Sequence, residues 1–288
     1  MEFKPSELIL NPDGSIFHLK LHPGQVADTI ILVGDPNRVE MVSAYFDSVE
    51  LRVSNREFVT HTGSLNSRRI TVMSSGIGTD NIDIVLNELD ALVNIELPKR
   101  ILKQEKQSLN LIRIGTTGGL QKDIPVNSMI LSRYAVGFDA VLNFYAGRNR
   151  VADSAMEKAF KEHTGWNPVL PDPYFIRSSD ELFGLFPDDL YSGITVSAPG
   201  FYGPQGRRIR LGLLDPALND KIESFRYLGM RIMNYEMESS ALFGLSRLLG
   251  HKAVTLCTMI ANRASMEFTD DYKTSVNNLI KFTLEHIC

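Results

Sequence analysis

Short runs of β-branched and aliphatic residues alternate along the chain with stretches in which apolar side chains recur every three or four positions. The first pattern reads as buried strands and the second as amphipathic helices. Residues 29–33 form an apolar run closed by Gly34-Asp35-Pro36. Asn37 is placed to cap a helix over 38–46, with Val39, Val42 and Phe46 on one face. Strands are predicted at 49–53, 58–65 and 70–73, and a helix at 81–93. Residues 111–114 are apolar except for Arg113 and run into Gly115-Thr116-Thr117-Gly118-Gly119, so this strand is expected to end there in a tight turn. Further strands are predicted at 129–135, 194–197, 230–233 and 252–260, and further helices at 152–163, 238–249 and 272–286. Asp215-Pro216 supplies an N-cap with proline at the first helical position, which predicts a helix from there to Tyr227. Residues 174–187 show no clear period, and residues 1–25 read as a polar, irregular arm.

Alternation of strand and helix patterns without a linker, repeat or low-complexity block predicts a layered α/β fold with a mixed sheet, one domain over 1–288. At 43% hydrophobic and 22% charged residues the chain falls in the ordinary globular range. A net charge of −4 and scattered basic residues exclude electrostatic nucleic-acid binding; the densest group, Arg207-Arg208-Ile209-Arg210, is too short. Cys257 and Cys288 have no metal-ligand spacing, and such sparse usage suits a reducing compartment. No apolar run approaches a bilayer span, and the first residues lack the basic start and apolar core of a signal peptide. The expectation is a cytoplasmic protein with neither a membrane nor a nucleic acid as partner.

Several polar clusters fall immediately after predicted strands, where ligands sit in open α/β sheets. Gly34-Asp35-Pro36-Asn37-Arg38 is a strand-to-helix turn; a helix N-terminus favours an anion, and Arg38 adds a planar fork of donors. A charge inside an apolar strand is costly unless paired, so Arg113 needs either a protein carboxylate or a bound oxyanion, with the Thr116 hydroxyl nearby. Arg56 is a third anion candidate. None of these carries the G-x-x-x-x-G-K-[ST] spacing of a triphosphate site. Gly76-Ile77-Gly78 is half of a dinucleotide fingerprint and reads as a tight turn. Asn234-Tyr235-Glu236-Met237-Glu238-Ser239 puts two acids at a strand-to-helix junction. Either they pair with the helix dipole, or they accept from the hydroxyls of a polyol while Met237 packs against a sugar face. In the Gly/Pro-rich loop at 198–207, Phe201 offers a ring for stacking, Gln205 both donates and accepts, and Arg207 only donates. The alternative there is a flexible loop with one buried aromatic. The six histidines make no zinc pattern.

Seven segments taken in order resemble the nucleoside phosphorylase superfamily, most closely its uridine-cleaving members. They are Gly34-Asp-Pro-Asn-Arg38, Arg56-Glu-Phe58, Ser75-Gly-Ile-Gly78, Arg113-Ile-Gly-Thr-Thr-Gly118, Phe201-Tyr-Gly-Pro-Gln-Gly-Arg207, Asn234-Tyr-Glu-Met-Glu-Ser239 and Asn262-Arg263. The resemblance implies a three-layer α/β/α fold whose central mixed, barrel-like sheet is flanked by helices. It implies reversible attack of inorganic phosphate on a nucleoside, releasing the base and ribose 1-phosphate. By position, Gly34, Arg38, Arg113 and Thr116 would hold phosphate, with Arg56 from a neighbouring subunit. Glu236, Met237 and Glu238 would hold the ribose, with His18 reaching across the interface to its 5′-hydroxyl. Phe201, Gln205, Arg207, Ile260 and Ala261 would form the base pocket. Arg113, Gln205, Arg207 and Glu238 are the expected catalytic group.

The same resemblance implies no cofactor beyond phosphate as co-substrate, and a homo-oligomer built of dimers closed into a hexamer. Bacterial members of the family can hold potassium at the dimer interface, which makes Glu57, Ile77 and Asn81 a candidate position; Asn81 stands where the family carries a serine. Purine-cleaving members carry a Ser-Asp pair after the late strand, the aspartate protonating the purine. Here that stretch reads Ile260-Ala261-Asn262, which argues for a pyrimidine. The rivals are a purine nucleoside phosphorylase or a nucleosidase of the same superfamily, and a non-catalytic nucleoside-binding protein.

Overall fold

The computed structural model describes residues 2–288 and begins its regular structure with β1 (Thr29–Val33), α1 (Asn37–Ser43), β2 (Ser48–Asn55), β3 (Phe58–Leu65), β4 (Arg68–Ser74) and α2 (Thr79–Asn94). A small hairpin of β5 (Ile95–Glu96) and β6 (Ile101–Leu102) leads to β7 (Asn110–Gly119) and β8 (Met129–Gly137). There follow α3 (Arg148–Val151), α4 (Ser154–Thr164), β9 (Tyr174–Arg177), α5 (Asp180–Phe183) and β10 (Tyr191–Ser197). The last third contains α6 (Leu218–Ser224), β11 (Arg226–Tyr227), β12 (Met230–Glu236), α7 (Ser239–Leu249), β13 (Lys252–Asn262), β14 (Glu267–Phe268) and α8 (Tyr272–Ile287).

The long strands make one mixed sheet in the order β11-β12-β10-β8-β13-β7-β1-β4-β3-β2. Because β12 also pairs antiparallel with the end of β7, the ring β7-β13-β8-β10-β12 closes into a five-stranded barrel from which β1, β4, β3 and β2 extend as an open wing. β1 is buried on both faces, which is why it reads as an unbroken apolar run. Ile30 and Leu32 face a layer containing Leu86 and Leu89 of α2 and Leu242 and Leu245 of α7. Ile31 and Val33 face the opposite layer, with Val39 and Val42 of α1 and Val276 and Leu279 of α8. A third apolar cluster, with Phe160, Phe175, Ile222 and Phe225, fills the space outside β10 and β12. Among the described residues no helix is long and apolar enough to cross a membrane.

Local expectations at β7, α1 and α6 are corrected. The β7 strand does not end at Gly115; it runs through Gly119, because Gly118 and Gly119 pair with Tyr235 and Asn234 of β12 to close the barrel. A Cβ at Gly119 would lie 2.4 Å from the Met259 sulfur, so the glycines serve close strand approach rather than a turn. Helix α1 stops at Ser43, and Phe46 joins the apolar layer from the turn beyond it; Asn37 is not its side-chain cap but donates to Asp35 Oδ1. Helix α6 starts at Leu218 rather than Pro216, with Asp215 bonding Ala217 N at 2.9 Å and Lys221 Nζ at 2.8 Å. It ends at Ser224 because Leu228 and Gly229, both at positive φ, make the turn of the hairpin β11–β12. The segment without a clear period is β9 and the short α5, the latter capped by Ser179.

Barrel closure leaves little room at Gly193 of β10, where the register with β8 shifts between Gly193 and Ile194. A Cβ there would stand 2.7 Å from the backbone oxygen of Arg231 on the neighbouring strand β12. Gly193→Ala is expected to cost about 1–3 kcal/mol through overpacking. The check is the urea midpoint, which should fall at constant m-value; an unchanged midpoint would mean that β10 and β12 can part freely.

Candidate active site

A cavity of about 960 Å³ opens at the carboxyl ends of β1, β4, β10 and β12, with β7 and β13 along its side. Its floor comes from strand-end residues: Gly34 and Arg38 after β1, Gly76 and Ile77 after β4, Arg113 and Thr116 on β7, and Glu236 to Glu238 between β12 and α7. The loop after β10 adds Phe201, Gln205 and Arg207, and β13 adds Ile260 and Ala261. Segments from both halves of the sequence thus meet at one point.

One end is built around Arg113, which is buried in β7. Its Nη2 is ion-paired with Glu238 Oε2, its Nε lies 3.3 Å from Glu236 Oε2, and its Nη1 has no partner. Burial opposes its charge, but Glu238 and then Glu236 outweigh that and hold its proton more tightly than usual. Arg38 lies close enough for the two guanidiniums to repel; burial first, then Arg113, makes Arg38 a stronger acid than an ordinary arginine. Among the described residues Arg38 makes no ion pair, and the one hydrogen bond of its side chain is a 3.4 Å contact to the Ile114 carbonyl. Two adjacent guanidiniums with free donors, beside the glycine turn at Gly34 and the Thr116 hydroxyl, suit an oxyanion. Of the two partners the sequence left open for Arg113, the carboxylate is present: Glu236 and Glu238 occupy two of its nitrogens, and the third, Nη1, has no partner.

The two acids differ in their surroundings. Glu236 Oε1 accepts from Ser197 Oγ and from Ser239 N at 3.1 Å; Oε2 accepts from Glu238 N at 2.9 Å and Ser239 N at 3.0 Å. Glu236 is therefore the acid that satisfies the N-terminus of α7. Glu238 accepts from Gly78 N at 2.8 Å and Met237 N at 3.2 Å besides Arg113. Burial pushes the Glu238 carboxyl up to about 7, against the pull of Arg113 and with the help of Glu236. Met237 lies between the two acids and lines the cavity.

The other end is held by arginines. Arg263 donates through Nη1 to the Gln205 carbonyl and through Nη2 to Gln205 Oε1 at 2.9 Å; Arg207 Nη1 donates to the same Oε1. The Gln205 oxygen is thus committed as an acceptor, and its Nε2 is the group left for a ligand. The Arg207 guanidinium also lies 3.7 Å from the centre of the Phe201 ring, so one face of that ring is already covered. Asn262 is buried: its amide nitrogen bonds the carbonyls of Gln121 at 2.9 Å and Ile124 at 2.7 Å, and its oxygen accepts from Ala264 N. It locks a loop and offers no acid to the cavity. Three residues that the sequence reading gave no role belong here. Tyr235 and Phe268 line the cavity, and Arg263 stacks 4.9 Å over Tyr235 while burial, then Arg207, push it down to about 10. Arg263 was visible as part of a motif but not as the clamp on Gln205, because that contact depends on where β13 ends.

His18 and Arg56 are the two candidates that do not line the cavity. They lie together elsewhere: His18 Nδ1 is 2.6 Å from Glu88 Oε1, Asn55 Nδ2 donates to the His18 carbonyl at 2.7 Å, and Arg56 lies 5.9 Å over the Phe17 ring. At the candidate potassium position Glu57, Ile77 and Asn81 do reach one wall of the cavity. There, however, Asn81 turns its amide nitrogen to the Ile77 carbonyl at 3.4 Å, a donor facing the oxygen that a cation would need. Among the described residues no three His, Cys, Asp or Glu cluster so as to hold a metal.

The sequence profile of the Phosphorylase superfamily matches residues 28–287. The chain is 30% identical to the uridine phosphorylase of Haemophilus influenzae over 273 residues, 89% of this chain and 90% of that one. It is also 26% identical to a DeoD-type purine nucleoside phosphorylase of Listeria monocytogenes, over 93% and 97% of the two chains. Among solved structures it superposes with a TM-score of 0.87 on the Trypanosoma brucei nucleoside phosphorylase described as showing uridine phosphorylase activity, at 29% identity and over 97% and 99% of the two chains.

Removing Arg113 would leave Glu236 and Glu238 buried with no cation between them. Arg113→Ala is expected to lose about 3–5 kcal/mol of stability at pH 8. A carboxyl whose proton affinity is raised by folding destabilises increasingly as pH climbs above its unfolded value, and loss of Arg113 raises that affinity further. Denaturant unfolding should therefore show a distinctly smaller deficit at pH 5 than at pH 8; an equal deficit would mean that the acids do not depend on Arg113 for their charge.

Proposed function

The chain belongs to the phosphorylase superfamily, and from that membership we propose that it cleaves uridine with inorganic phosphate, giving uracil and ribose 1-phosphate. The membership and the named relatives carry nucleoside phosphorolysis; the choice of uridine rests on the Gln205–Arg207–Arg263 cluster. Arg207 can only donate, and Gln205 has its oxygen occupied and its Nε2 free. A base held there must present carbonyl oxygens, as uracil does. None of Phe201, Gln205, Arg207, Tyr235, Ile260, Ala261 and Phe268 at this end of the cavity is an acid, and Asn262 is committed to the Gln121–Ile124 loop. A purine leaving group would find no proton donor of the aspartic acid kind.

The roles follow from charge. As the glycosidic bond breaks, negative charge moves onto the base and the sugar becomes cation-like. Phosphate beside Arg38 and Arg113, with Gly34 and Thr116 at its edge, is oriented toward the anomeric carbon and its charge opposes the developing positive charge. Glu238 and Met237 would hold the ribose, with Glu236 fixing Glu238 through its backbone N–H. Arg207 and Gln205 stabilise the departing base by donating to its oxygens. A hydrolase has no use for the unpaired Arg38 guanidinium and the spare Arg113 nitrogen at the anion end, and a non-catalytic binder has none for phosphate.

Two measurements test this reading. The first is the specificity constant for uridine, inosine and cytidine with and without saturating phosphate. Sites that leave buried donors unpaired can reject the wrong ligand by about four to five powers of ten. Uridine should lead by a wide margin only when phosphate is present, and Arg207→Ala should erase most of that lead; comparable values for inosine would overturn the pyrimidine assignment, and turnover without phosphate would indicate a nucleosidase. The second concerns assembly. His18 and Arg56 sit outside their own chain's cavity, so the reading gives them to a neighbour's, in a dimer unit closed into a hexamer. Sedimentation of the active protein should show no monomer; a fully active monomer would remove both residues from the site.

A further inference from the structure

Arg113 is one guanidinium shared by two buried carboxylates; it lines the cavity, and its buried Nη1 has no hydrogen-bond partner. The following inference rests on the anion reading given above. When an oxyanion joins this cluster, three anionic groups compete for Arg113 and Arg38 in a buried site, where charge repulsion is poorly screened. One of the three must yield. Glu236 is poorly placed to do so: Ser197 Oγ and Ser239 N donate to its Oε1, and Glu238 N, Ser239 N and Arg113 Nε to its Oε2, so a proton on either oxygen would face donors. Glu238 is held by two backbone N–H groups and by the very guanidinium that the anion recruits.

We propose that oxyanion binding at Arg113 and Arg38 is coupled to uptake of one solvent proton by Glu238, so that Arg113 links the anion half of the cavity to the sugar half. The groups that face Glu238 are Arg113 on β7, Glu236 on β12, Gly78 N at the start of α2 and, further off, Cys257 on β13; Arg38 on α1 faces Arg113 and Cys257. Burial raises the proton affinity of Glu238 and Arg113 lowers it, so drawing Arg113 toward the anion favours the proton. Once protonated, Glu238 offers one O–H donor as well as acceptor oxygens to the sugar, so a filled anion site presents the ribose with a different hydrogen-bonding face from an empty one. Linkage makes the effect reciprocal: protonation of Glu238 must tighten anion binding by the same factor.

Sulfate is the appropriate probe, since unlike phosphate it carries no titrating proton near neutral pH. Isothermal titration of sulfate into the full chain at pH 7, in buffers of different ionisation heat, should show proton uptake of up to one per anion bound. The sulfate Kd should weaken by about tenfold between pH 6 and pH 8, the most that one linked proton allows per unit being tenfold. Glu238→Gln should bind sulfate with no uptake and a flat pH dependence. Sulfate binding without uptake or pH dependence in the wild type would overturn the inference and leave the proposed function standing. Uptake that persists in Glu238→Gln would move the proton elsewhere and equally overturn it. Failure of sulfate and phosphate alike to bind would sink the anion reading itself. The wild-type pH series stands even if the variant does not fold.

Discussion

Much of this molecule is arranged to keep one charge inside a sheet. Arg113 sits in the wall of the barrel with no solvent to carry its charge, and an unpaired guanidinium there would be prohibitive. Glu236 and Glu238 answer it from the far end of the chain, and they can do so only because β12 closes onto β7. The glycines at the end of β7 permit that closure, and the N-terminus of α7 satisfies the acid that would otherwise be one negative charge too many. Topology and chemistry are therefore the same constraint: the strand pairing that completes the barrel also completes the ion triad.

The sequence made the repeating elements legible because burial has a period. β1 is packed on both faces and reads as continuous, whereas α2 and α8 show one apolar stripe. What was not legible was decided by partners distant in sequence. The glycines of β7 look like a turn until the strand that lies against them is known. The α6 helix looked set to run to Tyr227, yet the β11–β12 hairpin immediately downstream stops it at Ser224. The sharing of Arg113 could be predicted as a need but not as an answer, since both a carboxylate and an anion would meet it.

The site divides in the same way. Membership of the cavity was largely readable, because ligand-facing residues collect at strand ends and the motifs mark those ends. Roles were less so. Gln205 has a versatile side chain in the sequence and a committed one in the fold, where Arg263 and Arg207 both claim its oxygen. Asn262 marks the absence of an acid in the sequence; in the fold it proves to be a brace between strand and loop. His18 and Arg56 are the instructive pair, drawn together by Asn55, Glu88 and Phe17 yet away from the cavity of their own chain.

The pairing of Arg113 with Glu238 spans 125 positions of the chain. On a ribosome, the arginine emerges long before either acid that neutralises it. Until β12 has been made, β7 carries an unmatched charge and an unclosed flank, and the native wall of the barrel has no reason to form. Local helices can condense early, but the chemistry cannot. Loop closure over such a separation is slow to reward the chain for the order it demands. A nascent fragment lacking the last third would thus have no partial version of this site, and acquisition of function during synthesis would be a late and all-or-none event.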